Sequence, residues 1–387
     1  MTEQEPRTIR QIRCMTLLIF AAVLITLMPG GSGPVVHAGP GVTAAADSSG
    51  DGVQDGPKGS VWVLNRDRGE LAIFDAETGM VVRTLGVGAG AHDICISERA
   101  GKAYITAEAD NVVTTIDTRT LAKESIPVGP LPHHIEPSHD GRKIFVTLAS
   151  HPMGPGPAPG TPAYATIDTE DNSVTYTTTS DNPAARSHAV FPTPDGDRVF
   201  VAHDTGNEVS GIDVETSDIF LSVSPILRAE EVVATRFGDQ LWVSSRGDGT
   251  VRRIDIATQA VTATVTVGSV LSGPESIMLT PNERTLVVSM RGTPATLGFV
   301  DTVHEALIGT LPIAGANTFG DLAVMTNNGH YVYATFDAGA GGIGGVAVVD
   351  VRSRTVVATW PYPERGRPHG IWYSNKKARF PPIDGDE

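Results

Sequence analysis

The chain has 387 residues, 40% of them hydrophobic and 19% charged, with a formal net charge of −15. That balance suits a folded globular protein, and its acidity argues against nucleic acid or anionic lipid headgroups as partners. Forty-two glycines and 27 prolines favour many short strands joined by tight turns over long helices.

The first element reads as a secretory signal over residues 1–38. Arg7, Arg10 and Arg13 precede the uncharged apolar run Cys14–Met28, Pro29-Gly30 break it, and Val36-His37-Ala38 offers a small-residue cleavage site. The run is shorter than the ~20 residues a spanning helix needs. The expected location is therefore extracytoplasmic, periplasmic or secreted, with a membrane partner only if the signal stays uncleaved. Cys95 would then be the lone cysteine, leaving no internal disulfide to stabilise the fold. Residues 39–58 read as a flexible linker. Within it Asp47, Ser49, Asp51, Gly52 and Asp55 follow calcium-loop spacing, but Lys58 stands where the closing Glu belongs. Calcium at the linker is a weak expectation and a solvated acidic tether the alternative.

From residue 59 a repeat takes over. An apolar residue, an Asp and often a Thr shortly after it recur at Asp75, Asp117, Asp168, Asp213, Asp255, Asp301 and Asp350. The copies lie 42 to 51 residues apart, the length of a four-stranded propeller blade. Each Asp follows a short apolar run such as VWVL, AYIT, IFVT or LWVS, most of them preceded by a turn such as HDGR or PNER. The expected fold is all-β: a seven-bladed β-propeller of four-stranded blades over residues 59–376, with a polar tail at 377–387. Val61 begins a blade with no inner strand before it. RPHGIWYSN at 367–375 repeats the inner-strand phrase with no blade after it, so this last strand should close the first blade.

The phrases IDTRT…IPVGPLPHHIEPSHDGRKIFVT and IDIATQAVTATVTVG resemble the YVTN-repeat, YncE-like family of β-propellers over about residues 60–375. The resemblance implies the fold, and it implies no one activity.

Aligning the inner strands puts His92, His133, His188, Glu230, Glu275, Asp321 and His369 at one repeat position, and so in one ring around the axis. Imidazoles and carboxylates are common ligands of copper, iron and zinc, so His92, His133, His188 and His369 are the candidate metal ligands. A metal-free functional funnel, or a histidine that is merely the repeat's habit, are the alternatives. Glu230, Glu275 and Asp321 would orient ligands or line the channel. The loop after the second strand opens on the same face and carries Arg66, Glu108, His151, His203, Arg246, Arg291 and Asp337. Arg246 and Arg291 share blades with Glu230 and Glu275, so ion pairs there are the favoured reading. The loop 151–162 could overhang the hub. Gly339–Gly344 matches a dinucleotide fingerprint but joins two antiparallel strands with no helix after it, so no nucleotide is expected there. No catalytic residue is assigned. The expected function is a metal-binding hub, with metal-dependent oxidation of a small molecule as its activity. The alternatives are a non-catalytic module binding a protein or peptide at the hub face and, more distantly, a lactonase-type hydrolase. The protein is expected to be a monomer.

Overall fold

The computed structural model describes residues 57–148, 161–339, 342–378 and 380. The signal, the calcium-like spacing at Asp47–Asp55, His151 with most of its loop, and residues 381–387 lie outside the described residues. Twenty-eight strands form seven antiparallel four-stranded sheets, and no helix occurs among the described residues.

Blade one holds β1 (Ser60–Asn65), β2 (Glu70–Asp75) and β3 (Val81–Gly86). Blade two holds β4 (Ala91–Ser97), β5 (Lys102–Ala107), β6 (Val112–Asp117) and β7 (Lys123–Pro127). Blade three holds β8 (Pro132–Pro137), β9 (Lys143–Leu148), β10 (Ala163–Asp168) and β11 (Val174–Thr178). Blade four holds β12 (Ser187–Pro192), β13 (Arg198–His203), β14 (Glu208–Asp213) and β15 (Ile219–Val223). Blade five holds β16 (Ala229–Ala234), β17 (Gln240–Ser245), β18 (Thr250–Asp255) and β19 (Ala260–Thr266). Blade six holds β20 (Gly273–Leu279), β21 (Thr285–Arg291), β22 (Thr296–Asp301) and β23 (Ala306–Pro312). Blade seven holds β24 (Phe319–Met325), β25 (Tyr331–Asp337), β26 (Gly345–Asp350) and β27 (Thr355–Pro361).

The closure read from the sequence is present. β28 (Pro368–Ser374) pairs antiparallel with β1, Val61 opposite Tyr373 and Trp62 opposite Trp372, and becomes the inner strand of blade one. Phe380 continues the contact, its ring 6.4 Å from that of Trp62.

The repeating Asp has a local physical cause. It ends the third strand of each blade and caps the turn to the outer strand. Asp75 Oδ1 accepts the backbone N–H groups of Glu77 and Thr78 at 3.0 and 2.9 Å; Asp213 Oδ1 does the same for Glu215 and Thr216 at 3.0 and 2.8 Å. The residue four beyond each Asp then takes a left-handed φ, from Leu121 at 63° to Arg354 at 55°. In blade one that residue is Gly79, where a Cβ would lie 2.2 Å from Trp360 Nε1, so only glycine fits. Apolar faces of adjacent sheets interdigitate to make the core. One cluster joins Val61, Phe74, Tyr333 and Trp360 across blades one and seven; another joins Trp242, Val265, Leu286 and Val300 across blades five and six.

Candidate metal centre at the hub

Each inner strand begins at the axis with a break in register. The ladder slips between Ala91 and Ile94, Pro132 and Ile135, Ala229 and Val232, and at the matching place in every other blade. Such a bulge interrupts the strict alternation of a strand, so two consecutive side chains can turn toward the channel. The upper of the two forms the expected ring, and all seven members are buried. The lower is Asp93, His134 or Glu231 in three of the blades.

The imidazoles pack against one another in sequence around the ring, each tilted by 48 to 51° to the next. Ring centroids are 4.2 Å apart for His369 and His92, 3.8 Å for His92 and His133, and 4.5 Å for His133 and His188. His134, which the sequence reading did not single out, packs 4.9 Å from His133 and 4.8 Å from His188.

Backbone stitching decides which ring nitrogens are free. The fifth residue of the second strand usually carries a hydroxyl that reaches the hub carbonyl of the next blade. Thr106 donates to His133 O, Thr147 to His188 O, Ser244 to Glu275 O, Ser289 to Asp321 O and Thr335 to His369 O, at 2.5 to 3.1 Å. Blades one and four have Leu64 and Ala202 at that position. There the histidine substitutes: His369 Nδ1 donates to His92 O at 2.9 Å and His188 Nδ1 to Glu230 O at 2.7 Å. The carbonyl acceptors fix the proton on Nδ1 of both rings.

The predicted set of four histidines is therefore divided. His188 is engaged at both nitrogens, since Nε2 also lies 2.8 Å from Glu230 Oε2. Burial disfavours its charge, but the Glu230 carboxylate and its hydrogen bond outweigh burial and raise the His188 pKa. Burial would likewise raise Glu230; the imidazolium together with Arg246 and Arg228 instead pulls it down to about 2. His369 Nε2 lies 3.4 Å from Asp321 Oδ1. By contrast Nδ1 of His92, Nδ1 of His133 and Nε2 of His134 are buried with no partner among the described residues. Burial, aided by the neighbouring rings, depresses His92 and His133 well below the usual histidine range, so both stay neutral with lone pairs available.

Among the described residues two groups have ligand atoms close enough to hold one ion: His92, His133 and His134, and His188, Glu230 and Glu275. The second is already neutralised by arginine. Arg246 Nη1 lies 3.1 Å from both Glu230 and Glu275, and Arg291 Nη1 3.1 Å from Glu275, so the expected ion pairs are present. Arg66 pairs with Glu108 at 2.5 Å, and Glu108 Oε1 stands 3.7 and 3.9 Å from Nε2 of His133 and His92. His203 stays out of this assembly. Its fully buried ring bonds Ser210 Oγ at 2.9 Å inside its own blade, and the funnel position it was expected to fill is held by the Arg186–Asp204 pair.

His134 is held by Asp93. Its Nδ1 is 3.0 Å from Asp93 Oδ2, which also accepts Ile135 N–H at 3.3 Å, while Asp93 Oδ1 accepts Ile94 N–H at 2.8 Å. A carboxylate already holding two backbone donors accepts a hydrogen bond from Nδ1–H, so the lone pair is left on the buried Nε2. Below this layer a cavity of about 450 Å³, lined by Asp93, His134, Glu136, Phe191, Glu231 and Trp372 among others, runs toward the turns of the opposite face. Burial pushes the Glu136 and Glu231 carboxyls well up from their ordinary range.

No family model and no curated protein sequence matches the chain. Solved structures do match its shape. A hydrazine synthase structure from Kuenenia stuttgartiensis is 16% identical, with a TM-score of 0.65 over 80% of this chain and 99% of that one. The Pseudomonas aeruginosa periplasmic gluconolactonase PpgL is 15% identical, TM-score 0.62, over 81% and 98%. The dihydro-heme d1 dehydrogenase NirN, in complex with DHE, is 14% identical, TM-score 0.57, over 86% and 77%. The neighbours include enzymes. At these identities the likeness establishes the seven-bladed propeller fold and leaves activity to the site.

Proposed function

We propose that this chain is an extracytoplasmic propeller of the YVTN-repeat kind whose hub holds a copper, zinc or iron ion between His92, His133 and His134. The observation that carries this reading is the trio of buried imidazole nitrogens without a partner. A buried polar atom left unsatisfied costs about 1–3 kcal/mol, so three on neighbouring rings, with centroids 3.8 to 5.3 Å apart, call for a common acceptor of lone pairs. Neutral nitrogen donors favour a borderline transition metal over calcium or magnesium.

A bound ion would supply Lewis acidity toward an oxygen of a small molecule or water at the ring. The chain supplies the rest. Asp93 fixes the His134 ring. Glu108, held by Arg66 and close to Nε2 of two candidate ligands, is placed to take a proton. The His188–Glu230 pair keeps a proton at Nε2 on the other side of the ring. The substrate would enter from the hub face; with copper or iron bound, which unlike zinc could pass electrons to an acceptor such as dioxygen, the activity would be oxidation of a small molecule.

Metal content of protein purified without a polyhistidine tag tests the reading, with His133→Ala, His134→Ala and His188→Ala alongside. Near-stoichiometric transition metal in the wild type and in His188→Ala, lost in the other two, is the expected pattern. Traces at one level in all four would remove the metal reading and leave a non-catalytic binding propeller.

A further inference from the structure

The mouth above the ring carries a charge opposite to that of the protein. Six guanidinium groups touch the ring residues or bear on them electrostatically: Arg66, Arg186, Arg228, Arg246, Arg291 and Arg367. Facing them are six carboxylates, Glu108, Asp204, Glu230, Glu275, Asp321 and Asp337, with the His188 imidazolium as a further cation, so positive groups outnumber negative ones by one. The collar is thus cationic on a chain whose formal net charge is −15.

These arginines are not used up by their partners. Arg246 and Arg291 meet their glutamates through Nη1 alone and Arg66 meets Glu108 through Nη2 alone, leaving N–H groups with no hydrogen bond among the described residues. Among the described residues Arg367 makes no ion pair and its buried Nε has no hydrogen-bond partner. It is held by its backbone: its N–H donates to Asn65 Oδ1 at 3.2 Å and its carbonyl accepts Arg66 N–H at 3.0 Å. Arg66 and Arg367 are joined through their backbones where β28 meets β1, Arg291 is bonded to Glu275 in the ring at 3.1 Å, and all three bear on both His369 and Asp321. Guanidinium edges held in a fixed fork match the paired oxygens of a carboxylate or phosphate.

We infer that the arginine collar selects a small organic oxyanion, a carboxylate or a phosphate ester, and seats it against Arg367, Arg66 and Arg291 over the ring. The inference rests on the hub face being the working face, as proposed above, and it narrows the substrate class of that site. The long-range field also acts: a cationic mouth in an acidic surface draws anions to that one place.

Calorimetric titration with sodium succinate, glycerol phosphate and the neutral succinamide tests it, on wild type and on Arg367→Gln and Arg367→Glu, at low and moderate salt. Melting curves show whether each variant is folded, and metal content is measured on the same preparations. We expect one of the two anions to bind at one site per chain, more weakly as salt rises. Succinamide should not bind, and the variants should lose about tenfold or more in affinity, about 1.4 kcal/mol, with metal content unchanged. Succinate binding identifies the carboxylate form, and glycerol phosphate binding alone the phosphate form. No binding of either anion, succinamide bound as well as succinate, or variants that bind like wild type would overturn the inference. Metal without anion binding removes only the collar; anion binding without metal removes only the metal reading.

Discussion

Replacing Asp93 by Asn isolates the positioning of His134 from the ligands themselves. The carboxylate accepts three donors, from Ile94 N, Ile135 N and His134 Nδ1, at 2.8 to 3.3 Å. The amide has one acceptor oxygen and one NH2, so it must turn the NH2 toward at least one of the three. A buried N–H left facing another donor costs about 1–3 kcal/mol of stability. If His134 Nδ1 is the loser, the ring gains by moving its proton to Nε2, the nitrogen offered to the metal. Loss of such a supporting carboxylate lowers metal affinity about 10- to 100-fold, or about 1.4–2.7 kcal/mol. Zinc and copper affinities measured by competition with a chromophoric chelator, with melting curves taken without metal, read the two effects apart. Asp93→Asn should lower both, and His134→Gln should abolish tight binding. A variant that melts lower yet binds metal within about twofold of wild type would show that Asp93 only stabilises the strand.

Gly370→Ala places a Cβ 2.5 Å from His92 O and 2.8 Å from Asp93 Cα, both backbone, so β28 must part from β4. A stability loss of about 1–3 kcal/mol in chemical denaturation, with weaker metal binding, is expected, and an unchanged midpoint would contradict the close approach. Burial, only partly opposed by the Asp204 charge, holds His203 down at about 4, below the unfolded value of 6.5. Between those values the unfolded chain takes up the proton and the folded one does not, so stability falls as pH drops from about 6.5 toward 4, by about 3 kcal/mol for this group. His203→Gln should shift the acid unfolding midpoint to lower pH; an identical midpoint would sink the assignment. Deleting residues 367–387 removes the inner strand of blade one and should abolish cooperative unfolding, whereas a melting curve like that of the full chain would refute the closure.

The fold was legible because its punctuation is chemical. Asp75, Asp117 and their equivalents cap the same turn, so they recur in the sequence at blade spacing. The ring was legible for a related reason, since one phrase opens each inner strand. What escaped was the second residue of that phrase. Simple alternation would turn Asp93, His134 and Glu231 away from His92, His133 and Glu230. Only the bulge brings both members to the channel, and the polar pairs His92-Asp93, His133-His134 and Glu230-Glu231 opening buried strands were its signature. The commitment of His188 and His369 was also hidden. It follows from Ala202 and Leu64, apolar residues in strands whose counterparts carry Thr or Ser, and a missing hydroxyl in one blade says nothing of a neighbour's tautomer until the blades are placed side by side. Glu230 and Glu275 were legible as ion pairs because Arg246 and Arg291 sit at matching blade positions. The matching residue in blade four is Asp204; His203, one residue earlier, turns into its own blade to Ser210.

Because ribosomes work from the amino end, six complete sheets and a three-stranded seventh precede the piece that joins them. Until Pro368–Ser374 arrives, β1 presents an unsatisfied row of amides and carbonyls beside Val61 and Val63, a template for a stray strand from any neighbouring molecule. His369 travels on that same last piece and carries the proton that secures the His92 carbonyl. A chain clipped near its carboxyl end thus forfeits its seam and a spoke of its axle together.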